Sequence, residues 1–200
     1  MAQSEYQPKK ILINLFAGPN SGKSVLAARL FSDLSILGFS CELALEYARD
    51  LVHENRFNVL QHDQAYILAK QNRRISRVIE QVDFVICDSP LLLTCTYNNP
   101  ESINQQALSD LCFSLHEKYQ SINIFVERNS SFKFSTVGRT QSRIEEAIAI
   151  DIKIKNMLKQ FKVPYFELEN NAYIMTQIAT ILNIQYDKNL LEKVYGFNPR

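Results

Sequence analysis

Short apolar runs alternate along the chain with longer stretches in which apolar residues recur every three or four positions. The short runs suit buried strands of a parallel sheet, and the longer ones suit amphipathic helices. Five strands are predicted: Ile11 to Phe16, Ser40 to Leu45, Phe84 to Cys87, Ile122 to Val126, and a short run around Tyr165-Phe166 after Pro164. Between them the spacing predicts a helix from Val25 that stops at Gly38, where a glycine can end it. Further helices are expected over Asp63 to Gln81, Asn104 to Tyr119, Ser142 to Phe161 and Ala172 to Leu182. The tail from Gln185 to Arg200 either docks as a last helix or frays. Such alternation is the signature of β-α-β units with right-handed crossovers. The expected fold is therefore α/β, a three-layer sandwich of about five parallel strands with helices on both faces.

Composition narrows this little. At 200 residues, with 46% hydrophobic and 22% charged residues, the chain reads as one globular domain over residues 1–200. A formal net charge of +1 gives no bulk argument for nucleic acid. Met1 to Lys10 is polar without an apolar core, and no apolar run approaches the ~18 residues of a membrane span. A cytoplasmic protein without a membrane partner is expected. Cys41, Cys87, Cys95 and Cys112 show no C-x-x-C spacing and do not pair with His53, His62 or His116 at zinc-like intervals. They read as buried reduced thiols.

The sharpest chemistry lies between the first strand and the first helix, in Ala17-Gly18-Pro19-Asn20-Ser21-Gly22-Lys23-Ser24. It fits the phosphate-binding pattern G-x-x-x-x-G-K-[ST] with Ala17 at the first glycine position. Consecutive backbone N–H groups must converge on phosphate oxygens at a helix N-terminus, which requires small residues with free backbone angles. Gly18, Pro19, Asn20, Ser21 and Gly22 are thus candidates for cradling a nucleotide. Lys23 would reach the β- and γ-phosphates, and the Ser24 hydroxyl would ligate Mg²⁺. Strand, loop and helix in this order make the expected fold that of a P-loop NTPase.

In open α/β sheets ligands bind beyond the carboxyl ends of the strands, which selects the residues that follow each one. Asp88 closes the apolar run Phe84 to Cys87 as in a Walker B strand, placing a hard oxygen ligand for Mg²⁺; alternatively it caps the segment before Pro90. Glu46, at the end of the second strand, suits a general base toward an acceptor hydroxyl, or else is a helix-start acid favoured by the macrodipole. Arg49, three residues on, suits an anionic or polar group of the acceptor. Arg128, Arg139 and Arg143 occupy a Ser/Thr-rich stretch, residues 128–150, that reads as a phosphate-covering lid. The bland reading pairs these arginines with Glu145, Glu146 or Asp151 at the surface. On the Asp63 to Gln81 helix, which also carries Gln64, the pair Gln71 and Arg74 is three apart and suits reading a base or sugar.

These segments resemble the P-loop kinases of small metabolites and nucleosides, and most closely the phage-encoded, nicotinamide riboside kinase-like P-loop proteins. The resemblance is carried by Ile13 to Ser24, by Glu42-Leu43-Ala44-Leu45-Glu46-Tyr47-Ala48-Arg49-Asp50, by Asp83 to Leu92, and by Gly138-Arg139-Thr140-Gln141 with Ile150-Asp151. It implies that Glu46 lies beside the acceptor, Asp88 serves Mg²⁺, and Arg128 and Arg139 close on the triphosphate. Two departures stand out: Ala17 replaces the first glycine, and Phe132 and Phe134 sit in the lid with only Lys133 as added charge.

The expectation is an ATP- and Mg²⁺-dependent kinase transferring the γ-phosphoryl group to a hydroxyl of a nucleoside, nucleotide or related metabolite. Lys23, Glu46, Asp88 and Arg139 are its catalytic candidates. One alternative keeps the chemistry but takes a hydroxymethylated base in phage DNA as acceptor, acting in a host cytoplasm. Another is a nucleotide-binding switch or regulatory ATPase.

Overall fold

A computed structural model describes residues 7–99, 101, 103–129 and 143–196. Along the chain these form β1 (Ile11–Phe16), α1 (Lys23–Ile36), β2 (Cys41–Ala44), α2 (Tyr47–His53), α3 (Phe57–His62), α4 (Gln64–Ser76) and β3 (Phe84–Cys87). There follow α5 (Leu93–Tyr97), α6 (Gln105–His116), β4 (Ser121–Glu127), α7 (Ile144–Gln160), β5 (Phe166–Glu169), α8 (Ile174–Ile181) and α9 (Lys188–Tyr195).

The strands make one parallel sheet in the order β2-β3-β1-β4-β5, with β1 flanked by β3 (Ile11 opposite Phe84) and by β4 (Ile13 opposite Ile122). Successive side chains of each strand point to opposite faces, so continuous apolar runs produce two cores. On one face Leu12, Phe16, Val85, Cys87 and Phe125 pack against α4, α5, α6 and α7. On the other, Ile13, Leu15, Phe84, Ile86, Ile124 and Val126 pack against α1, α8 and α9. Burial pushes the Cys87 thiol up to about 12, which makes it an apolar filler of the sheet. Two amides interrupt the first face: Asn14 Nδ2 donates to Asn123 Oδ1 at 3.0 Å, and Asn123 Nδ2 donates to the Pro164 carbonyl at 3.1 Å. They tie β1 to β4 and to the entrance of β5.

Several elements differ from their predicted extents. The apolar spacing of α4 runs on to Gln81, but the helix ends at Ser76. Val78 and Ile79 still pack on the core from a turn whose N–H groups bond back three residues, Val78 to the Ile75 carbonyl and Gln81 to the Val78 carbonyl. Apolar spacing continues through such a turn, so periodicity overshoots. Helices α2, α3 and α5, of seven, six and five residues, are too short to show a helical period. The tail docks: Asp187 accepts from the Asn189 and Leu190 N–H groups, Leu191 is buried, and the Tyr195 hydroxyl donates to Asp33 of α1 at 2.7 Å. No helix among the described residues is long and apolar enough to cross a membrane.

His116, at the end of α6, is buried, and burial lowers its pKa below the usual 6.5. The unfolded chain therefore binds this proton more readily. Its contribution to stability is complete above about pH 6.5 and is lost as pH falls toward the depressed folded value. Urea denaturation from pH 7.5 to 5 is expected to show this loss in the wild type and a flatter acid limb in His116→Gln. Identical acid limbs would remove His116 from the account.

Candidate active site

The central strand β1 delivers the loop Ala17 to Gly22 to the carboxyl edge of the sheet, where its neighbours β3 and β4 diverge to its two sides. Asn20 (φ 60°) and Gly22 (φ 89°) turn the backbone through left-handed conformations, and Gly22 forms the N-cap of the fourteen-residue α1. Lys23 is the first residue of that helix. The Ser21 hydroxyl is buried without a hydrogen-bond partner. A loop that orphans a buried hydroxyl at a helix N-terminus is one built around an anion.

At its rear the loop is clamped. A Cβ on Gly18 would lie 2.6 Å from the Ala147 carbonyl oxygen, 2.9 Å from Asp151 Oδ1 and 3.0 Å from Arg128 Nη2, so only glycine permits this approach. The Gly18 N–H donates to Asp151, whose carboxylate also pairs with Arg128. Arg128 Nη1 donates to the Pro19 carbonyl at 2.8 Å and Nη2 to the Ala147 carbonyl at 3.0 Å. The planar guanidinium thus joins the end of β4, the loop and α7 in one hydrogen-bonded cluster. The expected nucleotide role of Arg128 competes with these contacts. Asp151 is nearly buried, at 13% side-chain exposure, rather than part of a solvated network. Arg143 stands exposed before α7, its N–H donating to the Glu146 carboxylate at 3.3 Å. Arg139 and residues 130–142 of the expected lid lie outside the described residues.

At the front, Ser24 Oγ donates to Asp88 Oδ2 at 2.7 Å, and Asp88 Oδ1 is buried without a partner. Asp88 therefore faces the loop. A hydroxyl beside a carboxylate with an unsatisfied buried oxygen is the hard donor set that Mg²⁺ accepts.

Beside the loop, between the ends of β2 and β3 and under α2 to α5, lies a cavity of about 430 Å³. Lys23 and Asp88 line it together with Glu46, Arg49, Pro19 and Ser89; Val52, Leu60, Gln64, Ile67, Leu93 and Tyr97 supply the rest of its principal walls. Its size suits a small molecule. The Glu46 side chain makes no capping hydrogen bond to α2. That end is organised instead by Gln71, buried at 3% exposure, whose Oε1 accepts from the Tyr47 N–H at 2.9 Å. Arg74 donates to the Leu45 carbonyl at 2.9 Å, pairs with Asp50 and lies 5.3 Å from the centre of the Tyr47 ring. Gln71 and Arg74 thus fix the β2–α2 corner that presents Glu46, and neither lines the cavity. Gln64, two turns before Gln71 on α4, does. The signal that could have singled it out is its position directly after Asp63, the N-cap that starts the helix at the sheet's carboxyl edge.

A parallel sheet of this order with a phosphate-binding loop after its central strand, and a cavity where that loop meets β2 and β3, defines a P-loop NTPase with the fold of the small-molecule kinases. The chain belongs to the AAA domain family, which matches residues 12–173. Among solved structures, that of NadR protein in complex with NR is similar over 90% of this chain and 54% of NadR, with a TM-score of 0.66 and 14% identity. This chain thus spans about half the length of NadR. Thymidylate kinase from Ehrlichia chaffeensis is similar over 88% of this chain and 100% of its own, with a TM-score of 0.51 and 15% identity. No curated protein matches by sequence.

Proposed function

We propose that the protein is an ATP- and Mg²⁺-dependent kinase that transfers the γ-phosphoryl group to a hydroxyl of a nucleoside, nucleotide or related metabolite. The observation carrying this reading is that one cavity is lined both by Lys23 and Asp88 of the phosphate-loop region and by Glu46 and Arg49 from the end of β2 and α2. A nucleotide on the loop would direct its last phosphate into the space where an acceptor fits. Kinship of fold with NadR and thymidylate kinase supports the same class of chemistry.

In this reading the loop amides and Lys23 would hold the triphosphate, and Ser24 and Asp88 would hold Mg²⁺, which would neutralise phosphate charge. The acceptor oxygen forms a bond to the γ-phosphorus as the bond to the β-bridging oxygen breaks and ADP leaves. The hydroxyl proton passes to Glu46, and Arg49 orients the acceptor. Catalysis is positioning and electrostatic stabilisation.

Label transfer from [γ-³²P]ATP to a panel of nucleosides, nucleotides, nicotinamide riboside and unmodified or hydroxymethylated DNA tests the class. A labelled small molecule supports it; labelled DNA keeps the chemistry but overturns the small-molecule acceptor, and phosphate release alone moves the protein to another class. Glu46→Gln is expected to reduce transfer by about 10²–10⁴-fold with ATP affinity unchanged by equilibrium titration. Undiminished transfer in that variant would remove Glu46 as the base.

A further inference from the structure

Gln64 opens α4 and is 4% exposed, yet it lines the cavity. Its Nε2 donates to the Leu60 carbonyl of α3 at 2.6 Å. A carbonyl can only accept, so this contact fixes which way the amide is turned: NH₂ toward Leu60, oxygen away from it. Among the described residues no donor meets Oε1. Oε1 is not enclosed by protein but open to the cavity, where a ligand N–H can reach it. The lining joins apolar Val52, Leu60, Ile67 and Leu93 to polar neighbours of Gln64, Gln61 and His62, and to the charged residues at the loop and after β2. The cavity is therefore chemically mixed. It suits a ligand that has an apolar body as well as a hydroxyl, and Gln64 Oε1 can only accept a hydrogen from it.

We infer that Gln64 is a specificity-determining residue of this cavity, reading an N–H donor on the heterocycle of the acceptor through Oε1. The inference rests on the kinase reading above and refines it. The substrate class is a ring-bearing hydroxyl compound whose ring carries an amide, imide or amino N–H. Ring systems blocked at that nitrogen are rejected, because they leave Oε1 unpaired and bring a methyl group against it.

The test uses the full chain with saturating ATP and Mg²⁺ and three matched pairs, each as nucleoside and as 5′-monophosphate: uridine and 3-methyluridine, cytidine and N4,N4-dimethylcytidine, adenosine and N6,N6-dimethyladenosine. In at least one pair the methylated member is expected to lose about 10- to 100-fold in kcat/KM. Gln64→Leu is expected to bring that ratio near one, by losing activity on the N–H compound rather than on its methylated partner. Gln64→Glu, which keeps an oxygen directed at the cavity, is expected to retain a preference for the N–H compound. A purely structural Gln64 would lower both members of a pair equally. Equal rates within every pair in the wild type, or a ratio that survives in Gln64→Leu, overturns this inference and leaves the kinase reading in place. Absence of both transfer to and binding of every compound, in the presence of ADP and Mg²⁺, overturns both.

Discussion

Lys23→Ala is expected to lower phosphoryl transfer by about 10²–10³-fold while changing the stability of the nucleotide-free protein by no more than about 0.5 kcal/mol. The asymmetry follows from position. Lys23 is the first residue of α1, partly exposed, and lines the cavity rather than either core. In the proposed kinase reading its ammonium would stand where negative charge moves from the γ-phosphoryl group onto the departing ADP. An interaction that strengthens in the transition state appears in kcat, whereas one equal in both states appears only in KM for ATP. The expected result is therefore a fall chiefly in kcat. Lys23→Arg is expected to recover little, because a planar fork does not replace a compact ammonium at the end of a flexible stem. Initial rates over a range of ATP concentrations, with urea denaturation of the same preparations, separate these outcomes. Wild-type turnover in Lys23→Ala would sink the kinase assignment.

The central part of the fold was legible because its signals are local. β1 is a continuous apolar run, its loop carries a spaced motif, and α1 starts at Lys23, so strand, loop and helix could be placed from sixteen consecutive residues or so. The acids that follow β2 and β3 were legible for a topological reason, since parallel strands bring their carboxyl ends to one edge. The cavity wall was less so. Gln64 and Gln71 are seven apart, two turns of one helix, and therefore share a face. Spacing gives the face but not the height. Only the packing of α4 against β2 shows that Gln71 lies level with the Tyr47 N–H while Gln64 lies level with the cavity. Asp151 was legible as a partner for the arginines, but its burial and its contact with Gly18 were not. Its partners Gly18 and Arg128 are 133 and 23 residues away, and a carboxylate on a long amphipathic helix reads as surface until the helix is docked.

Arg128→Ala is expected to destabilise the nucleotide-free protein by about 3 kcal/mol or somewhat more. Arg128 and Asp151 keep only 20% and 13% of their side-chain surface, so the variant would strand a carboxylate in a nearly closed site. The Pro19 and Ala147 carbonyls would lose their donors as well. Against a typical total of about 5–15 kcal/mol, that is a large fraction of the stability. Were Arg128 instead free to bind phosphate, the substitution would raise KM for ATP and leave denaturation of the apo-protein unchanged, so the two measurements distinguish clamp from ligand. Arg128→Lys is expected to fall between, because one ammonium cannot meet the three acceptors that the guanidinium spans. The decisive comparison is Arg128→Ala with Arg128→Ala/Asp151→Ala. Removing the stranded carboxylate deletes the desolvation cost along with the Gly18 contact, so the double variant should be less destabilised than the sum of the two singles. Strict additivity would mean that Arg128 and Asp151 do not act as a pair, and that the loop is shaped by Gly18 and its own backbone alone.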